Sequence, residues 1–187
     1  WEPLATRYEQ ESQDRRRFNE KNFTSYVDFR ETQAPEWTQS GHALGSAPSP
    51  SGELLIAPAG DPVVAQVLQA GIHSPTLSNR FNASLRSRVI PKAAKYVSVE
   101  AAGDGGAMRQ IYANCSVWNG GSVRLKSNDF RWIRVGTRPK EPDLNLVLAM
   151  VTRFDDYGYP GIFAKKFTDP KDIRSHFSLR RVMLHDT

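Results

Sequence analysis

The sequence holds a single cysteine, Cys115, in 187 residues. That excludes an internal disulfide framework, a zinc site built from several thiolates and a CxxCH haem attachment within this chain. No apolar run approaches the ~18 residues of a membrane-spanning helix. P-loop, GxGxxG and GxSxG motifs are all missing. The four histidines, His42, His73, His176 and His185, form no HxxxH or HxH pair, so any metal site would have to be assembled by the fold. Asp104 and the Asp155-Asp156 pair read as turn residues, because calcium takes six to eight oxygens drawn from several groups. No cofactor is expected.

What the chain does have is ordinary globular material. Hydrophobic residues make up 39% and charged residues 24%, which suffices for one core, while 13 Gly and 12 Pro punctuate it into short elements. The chain opens at Trp1 with no initiator Met and reads as a segment of a longer protein. Charge is uneven. Residues 1–21 carry five positive and five negative groups, residues 22–79 one and five, and residues 80–187 nineteen and ten, a net of +9. A basic half suits an anionic partner, but solvated charge scattered along strands is the favoured reading. The positives fall singly or as the pairs Lys165-Lys166 and Arg180-Arg181, not as a stripe, and no nucleic-acid partner is expected.

Periodicity predicts one helix and many strands. Residues 4–21 hold no Gly or Pro, and acidic residues precede Arg15, Arg16 and Arg17 at helical spacing, so an N-terminal helix is expected within residues 3–21. It reads as an arm or linker over residues 1–21, ahead of a single β domain over 22–187. Strands are expected around residues 26–30, 53–57 and 63–68, and Lys95 to Ala101 alternates in strand fashion. Gly103-Asp104-Gly105-Gly106 is read as a hairpin turn, with Met108 to Val117 as the return strand and Asn119-Gly120-Gly121 as the next turn. Further strands are expected over 130–137, 144–154, 162–167 and 177–184. Short strands at such spacing predict an all-β fold, an antiparallel β-sandwich of jelly-roll, lectin-like type.

The candidate binding residues are aromatic and basic. Tyr112, Trp118 and Trp132 lie near Arg109, Arg124, Arg131 and Arg134. Aromatic faces stack on sugar rings while guanidinium groups bind hydroxyls and oxyanions. The candidates are Arg109, Tyr112, Trp118, Arg124 and Trp132. The alternative is that these aromatics fill a sandwich core. Cys115, set inside an expected strand, reads as a buried inert thiol.

Several short segments resemble a known family. These are Phe18-Asn19-Glu20-Lys21-Asn22-Phe23, Val27-Asp28-Phe29-Arg30-Glu31 and Pro35-Glu36-Trp37, followed by Ala70-Gly71-Ile72-His73-Ser74, Leu77-Ser78-Asn79 and Asn82-Ala83-Ser84-Leu85-Arg86-Ser87. Tyr96-Val97-Ser98-Val99, the glycines at 103–106, Met108-Arg109 and Asn114-Cys115 continue the likeness, and the closing run from Phe177 to Asp186 is similar to the family's entry into its next domain. Together they resemble the middle segment of large planctomycete proteins that carry cytochrome-c-like domains and paired domains of unknown function. The family pattern has a Pro where this chain has Arg88. The resemblance implies a carbohydrate-binding-like module of a multidomain bacterial protein, with neighbouring domains of the same chain as partners and an extracytoplasmic location, periplasm or cell surface. It carries over no catalytic residue.

The function expected is thus non-catalytic binding of a polysaccharide, acidic or sulfated. The alternatives are an interdomain spacer that binds no small ligand, and a polysaccharide-active enzyme, for which no spacing of carboxylates argues.

Overall fold

The structure, a computed structural model, describes residues 1–31, 36–57, 60, 63–114, 116–137, 143–152 and 175–187, with the side chains of 113–120 left aside. The strand expected over 162–167, the Asp155-Asp156 pair and Cys115 lie outside the described residues. Helix α1 (Glu2–Asn22) is followed by strands β1 (Phe23–Asp28), β2 (Thr38–Gly41), β3 (Leu54–Ile56), β4 (Val64–Val67), β5 (Ile72–His73) and β6 (Ala83–Arg86). Then come β7 (Tyr96–Asn114), β8 (Ser116–Gly136), β9 (Asn145–Val151) and β10 (His176–His185). Every strand pairing among the described residues is antiparallel. The all-β sandwich with one N-terminal helix is what the chain forms.

One long hairpin builds both layers. β7 and β8 pair from Tyr96↔Gly136 to Asn114↔Ser116. Along its other edge, β7 pairs β10 from Tyr96 to Gly105 and β9 from Ala107 to Ala113. The first half of β7 therefore belongs to a layer with β10, β1 and β5, and the second half to a layer with β9, β6 and β2. The short β3–β4 pair stands apart from this sheet.

The glycines at 103–106 are not the turn that their composition suggests. They are the corner at which β7 changes partner. Gly103 has φ +150°, and a Cβ there would collide with the His176 carbonyl oxygen; one on Gly106 would sit 2.7 Å from the same oxygen. β10 can cross the corner only because no side chain is present. The register slips on both sides of it, between Ala101 and Gly103 and between Asp104 and Ala107, so the bend is made by bulges. Asn119-Gly120-Gly121 likewise lies within β8 rather than forming a turn.

The layers meet on one core. Val97, Val99, Ala101, Phe177, Leu179 and Val182 from the first pack with Leu85, Met108, Leu146, Leu148 and Met150 from the second, all essentially buried. Each large side chain buried there contributes roughly 1.5–3 kcal/mol. Phe29 and Trp37 close one margin, edge to face at 5.3 Å. Helix α1 buries no residue. It is held by local pairs such as Arg7–Glu11 at 3.0 Å and Arg17–Asp14 at 2.5 Å.

Candidate functional site

Alternation decides what the outer face of the first layer presents. With Val97, Val99 and Ala101 turned to the core, Tyr96, Ser98 and Glu100 of β7 face outward. Their cross-strand partners complete three rows. Glu100 pairs Trp132 and Arg181, Ser98 pairs Arg134 and Met183, and Tyr96 pairs Gly136 and His185. Phe23 of β1 extends the last row by pairing His185.

Along β8 and β10, three arginines lie against aromatic rings. The Arg181 guanidinium stands 4.9 Å from the Trp132 centroid, Arg134 stands 4.8 Å from Tyr96, and Arg180 stands 5.1 Å from Phe130. Two of them share Glu100, whose carboxylate is 9% exposed. Arg181 Nε donates to Oε2 at 2.7 Å, and Arg180 Nη1 to Oε1 at 3.3 Å. Both reach it because β10 bulges between Leu179 and Arg181. Arg134 differs: it is exposed and forms no ion pair among the described residues.

The floor of this face is polar. Ser98 and His185 are hydrogen-bonded at 2.8 Å, and His185 Nδ1 donates to the Thr187 carbonyl at 2.7 Å. The imidazole stacks on Tyr96 at 5.7 Å and tilts against Phe23 at 4.8 Å. Among the described residues no Asp or Glu side chain is hydrogen-bonded to it, and Ser98 and His185 together form a hydrogen-bonding floor. A groove of about 620 Å3 runs above, lined by Trp132, Arg134, Arg181, Ser98, Met183, His185, Phe23 and Asn19, among others. That is within the ~300–1,000 Å3 typical of small-molecule sites. No cluster of three or more metal-ligating side chains occurs among the described residues.

The structure does not gather the five sequence candidates in one place. Trp132 lies at the groove and is 47% exposed. Arg109 and Arg124 belong to the other half of the β7–β8 hairpin, where Arg109 pairs Ser122 and Arg124 pairs Ala107; Arg109 is buried and Arg124 half-buried. Tyr112 packs against the core, its hydroxyl donating to Gln110 Oε1 at 3.2 Å, and burial pushes its pKa up. The backbone of Trp118 pairs with that of Tyr112. Sequence reasoning missed Tyr96, Glu100, Arg181 and His185. Alternation over 130–134 could have joined Phe130, Trp132 and Arg134 on one face, but no sequence signal sets the register of β10 against β7.

Comparison with known proteins adds a broad likeness only. No family model matches the chain, and no curated protein does. Among solved structures, a mutant of a family 29 carbohydrate-binding module is 8% identical with TM-score 0.44, over 87% of this chain and 83% of that one. A family 61 carbohydrate-binding module in complex with β-1,4-galactotriose is 10% identical with TM-score 0.43, over 87% and 99%.

Proposed function

We propose that this domain is a non-catalytic carbohydrate-binding module for acidic or sulfated polysaccharide, working within a larger extracytoplasmic bacterial protein. One observation carries the reading. Trp132 and Arg134 stand side by side at an open groove, the first a half-exposed indole and the second a cation without a carboxylate partner among the described residues. The indole offers a stacking surface for the C–H face of a sugar ring. Arg181, pinned on that indole by Glu100, and Arg134, lying on Tyr96, present planar forks to a sulfate or uronate. The Ser98–His185 floor adds hydroxyl-binding groups.

The neutralised cations matter as much as Arg134. Glu100 consumes about one charge of the Arg180–Arg181 pair, and Asp28 binds Arg30 at 2.5 Å, so the face is moderately rather than densely positive. Moderate charge suits a repeating polymer with one anionic group every unit or two. The test is affinity electrophoresis or calorimetry against matched sulfated, uronic and neutral polysaccharides. Trp132→Ala is expected to weaken binding by about 1 kcal/mol or more, roughly fivefold or greater. Unchanged binding in that variant would remove the site from this face.

A further inference from the structure

The groove is bounded on one side by a part of the chain that composition marks as an arm. From Trp132 on β8 to Phe23 on β1 the path crosses three strand spacings and four residues along the strands, a diagonal of about 20 Å. At its far end stands the last turn of α1. Asn19 and Phe23, one helical turn apart, line the groove, while Lys21 and Asn22 line an adjoining hollow with Thr24, Pro91 and Asp186; His185 and Thr187 line both. The α1–β1 junction thus stands between two depressions. It is anchored there: the Phe23 N–H donates to the Asn19 carbonyl, Phe23 packs on His185 at 4.8 Å, and Phe18 on Phe23 at 6.4 Å.

We infer that the last turn of α1 is the end wall of the binding groove, so that the domain takes a short acidic oligosaccharide or the end of a polysaccharide chain rather than a stretch of chain interior. The inference rests on the carbohydrate-binding reading of the same groove. Three observations support it. The volume of about 620 Å3 and the ~20 Å span suit roughly three or four sugar rings, not an open track. The wall is polar, through Asn19, so it can hydrogen-bond terminal hydroxyls. The groove is also electrostatically polarised. Arg181 lies on Trp132 and Arg134 beside it, whereas at the other end the partially negative C-terminus of α1 is offset by Lys21 in the same turn and leaves little net charge. An anionic ring is therefore favoured on Trp132 and a neutral, hydroxyl-bearing ring against Asn19.

The experiment is calorimetry of the full chain with size-defined fractions, disaccharide to decasaccharide, of chondroitin sulfate, heparin and polygalacturonate, together with the parent polymers. Affinity is expected to rise to the tetrasaccharide and then stop, and bound protein per polymer chain is expected to stay constant as chain length grows. Asn19→Tyr, which fills the far end, is expected to weaken tetrasaccharide binding about tenfold while leaving the disaccharide within twofold. Glu11→Tyr, further up α1, is expected to change neither. Affinity or occupancy that keeps rising with chain length overturns the end wall, as does an Asn19→Tyr variant that binds every length as the parent does. If Trp132→Ala weakens binding about fivefold or more in that case, the carbohydrate reading survives and only the wall fails. Failure of every fraction and polymer to bind overturns both.

Discussion

Glu100 is the residue on which the outer face depends. Its carboxylate is nearly buried between two guanidinium groups that are 19% and 29% exposed. Replacing it by Ala removes the carboxylate that both cations share and leaves Asp28, cross-strand from Arg181, as a partial counter-charge. Partial exposure lets them turn towards water, so the expected loss is about 1–3 kcal/mol rather than the larger value for a fully buried pair. Glu100→Gln keeps the shape and one acceptor and is expected to lose less. Thermal unfolding of the two variants checks the order. A Glu100→Ala protein as stable as the parent would show that the cluster contributes nothing to the fold.

His73 supplies a pH dependence. It is buried; Nε2 donates to the Gln69 carbonyl at 2.7 Å, so Nδ1 accepts from the Ser178 hydroxyl at 2.8 Å. Burial holds its pKa below the ordinary histidine value of 6.5. Between that ordinary value and the lower folded one, the unfolded chain binds a proton that the native protein refuses. Stability therefore falls as pH drops below about 6.5 and levels off below the folded value. Unfolding midpoints measured from pH 7.5 down to 5 are expected to fall, and His73→Gln is expected to flatten that slope. Asp28 acts at lower pH. The Arg30 guanidinium holds its carboxyl below the usual aspartate range, so its contribution is complete above that range and is lost as pH falls through the depressed value.

Among the elements, the bend in β7 carries the most consequence. It lets one hairpin serve two layers, and it is possible only because residues 103 and 106 carry no side chain against the His176 carbonyl. Gly103→Ala must move β10 or abandon φ +150°, at a cost of about 3 kcal/mol. For a chain of this length that lowers Tm by roughly 6–12 °C. Gly52 has open space around it, so Gly52→Ala meets only the strain of φ +89° and is expected to cost less. Thermal denaturation of both variants tests whether close approach, rather than φ alone, makes the corner intolerant.

For the whole molecule, the net +9 over residues 80–187 becomes a statement about geometry once β7, β8 and β10 are seen to lie together. Arginines from sequence positions 134 and 181 meet at one groove. Binding of a sulfated polysaccharide there is expected to weaken as salt rises from 50 to 500 mM, because exposed charges are screened beyond about 8 Å at physiological ionic strength. A neutral glycan stacked on Trp132 should be nearly insensitive. Calorimetry with both at two salt concentrations separates them, and equal salt dependence would make the charge asymmetry a solvated surface.

The sequence by itself determined the class of the fold. Alternation at 95–101 and 130–137, helical spacing over 4–21 and frequent Gly and Pro are local signals, and local backbone preference follows from them. It also marked Trp132 as a candidate, since aromatic and basic residues cluster around 130–134. The corner at 103–106, the bulge that turns Arg180 and Arg181 onto Glu100, and the placing of Asn19 and Trp132 along one groove were decided only by tertiary structure. A glycine run carries the same local signal whether it reverses the chain or lets another strand pass close by. Which of these happens depends on contacts far apart in sequence: His176 against Gly103, β1 against the end of β10, and one strand register that assigns every outward side chain to its neighbour.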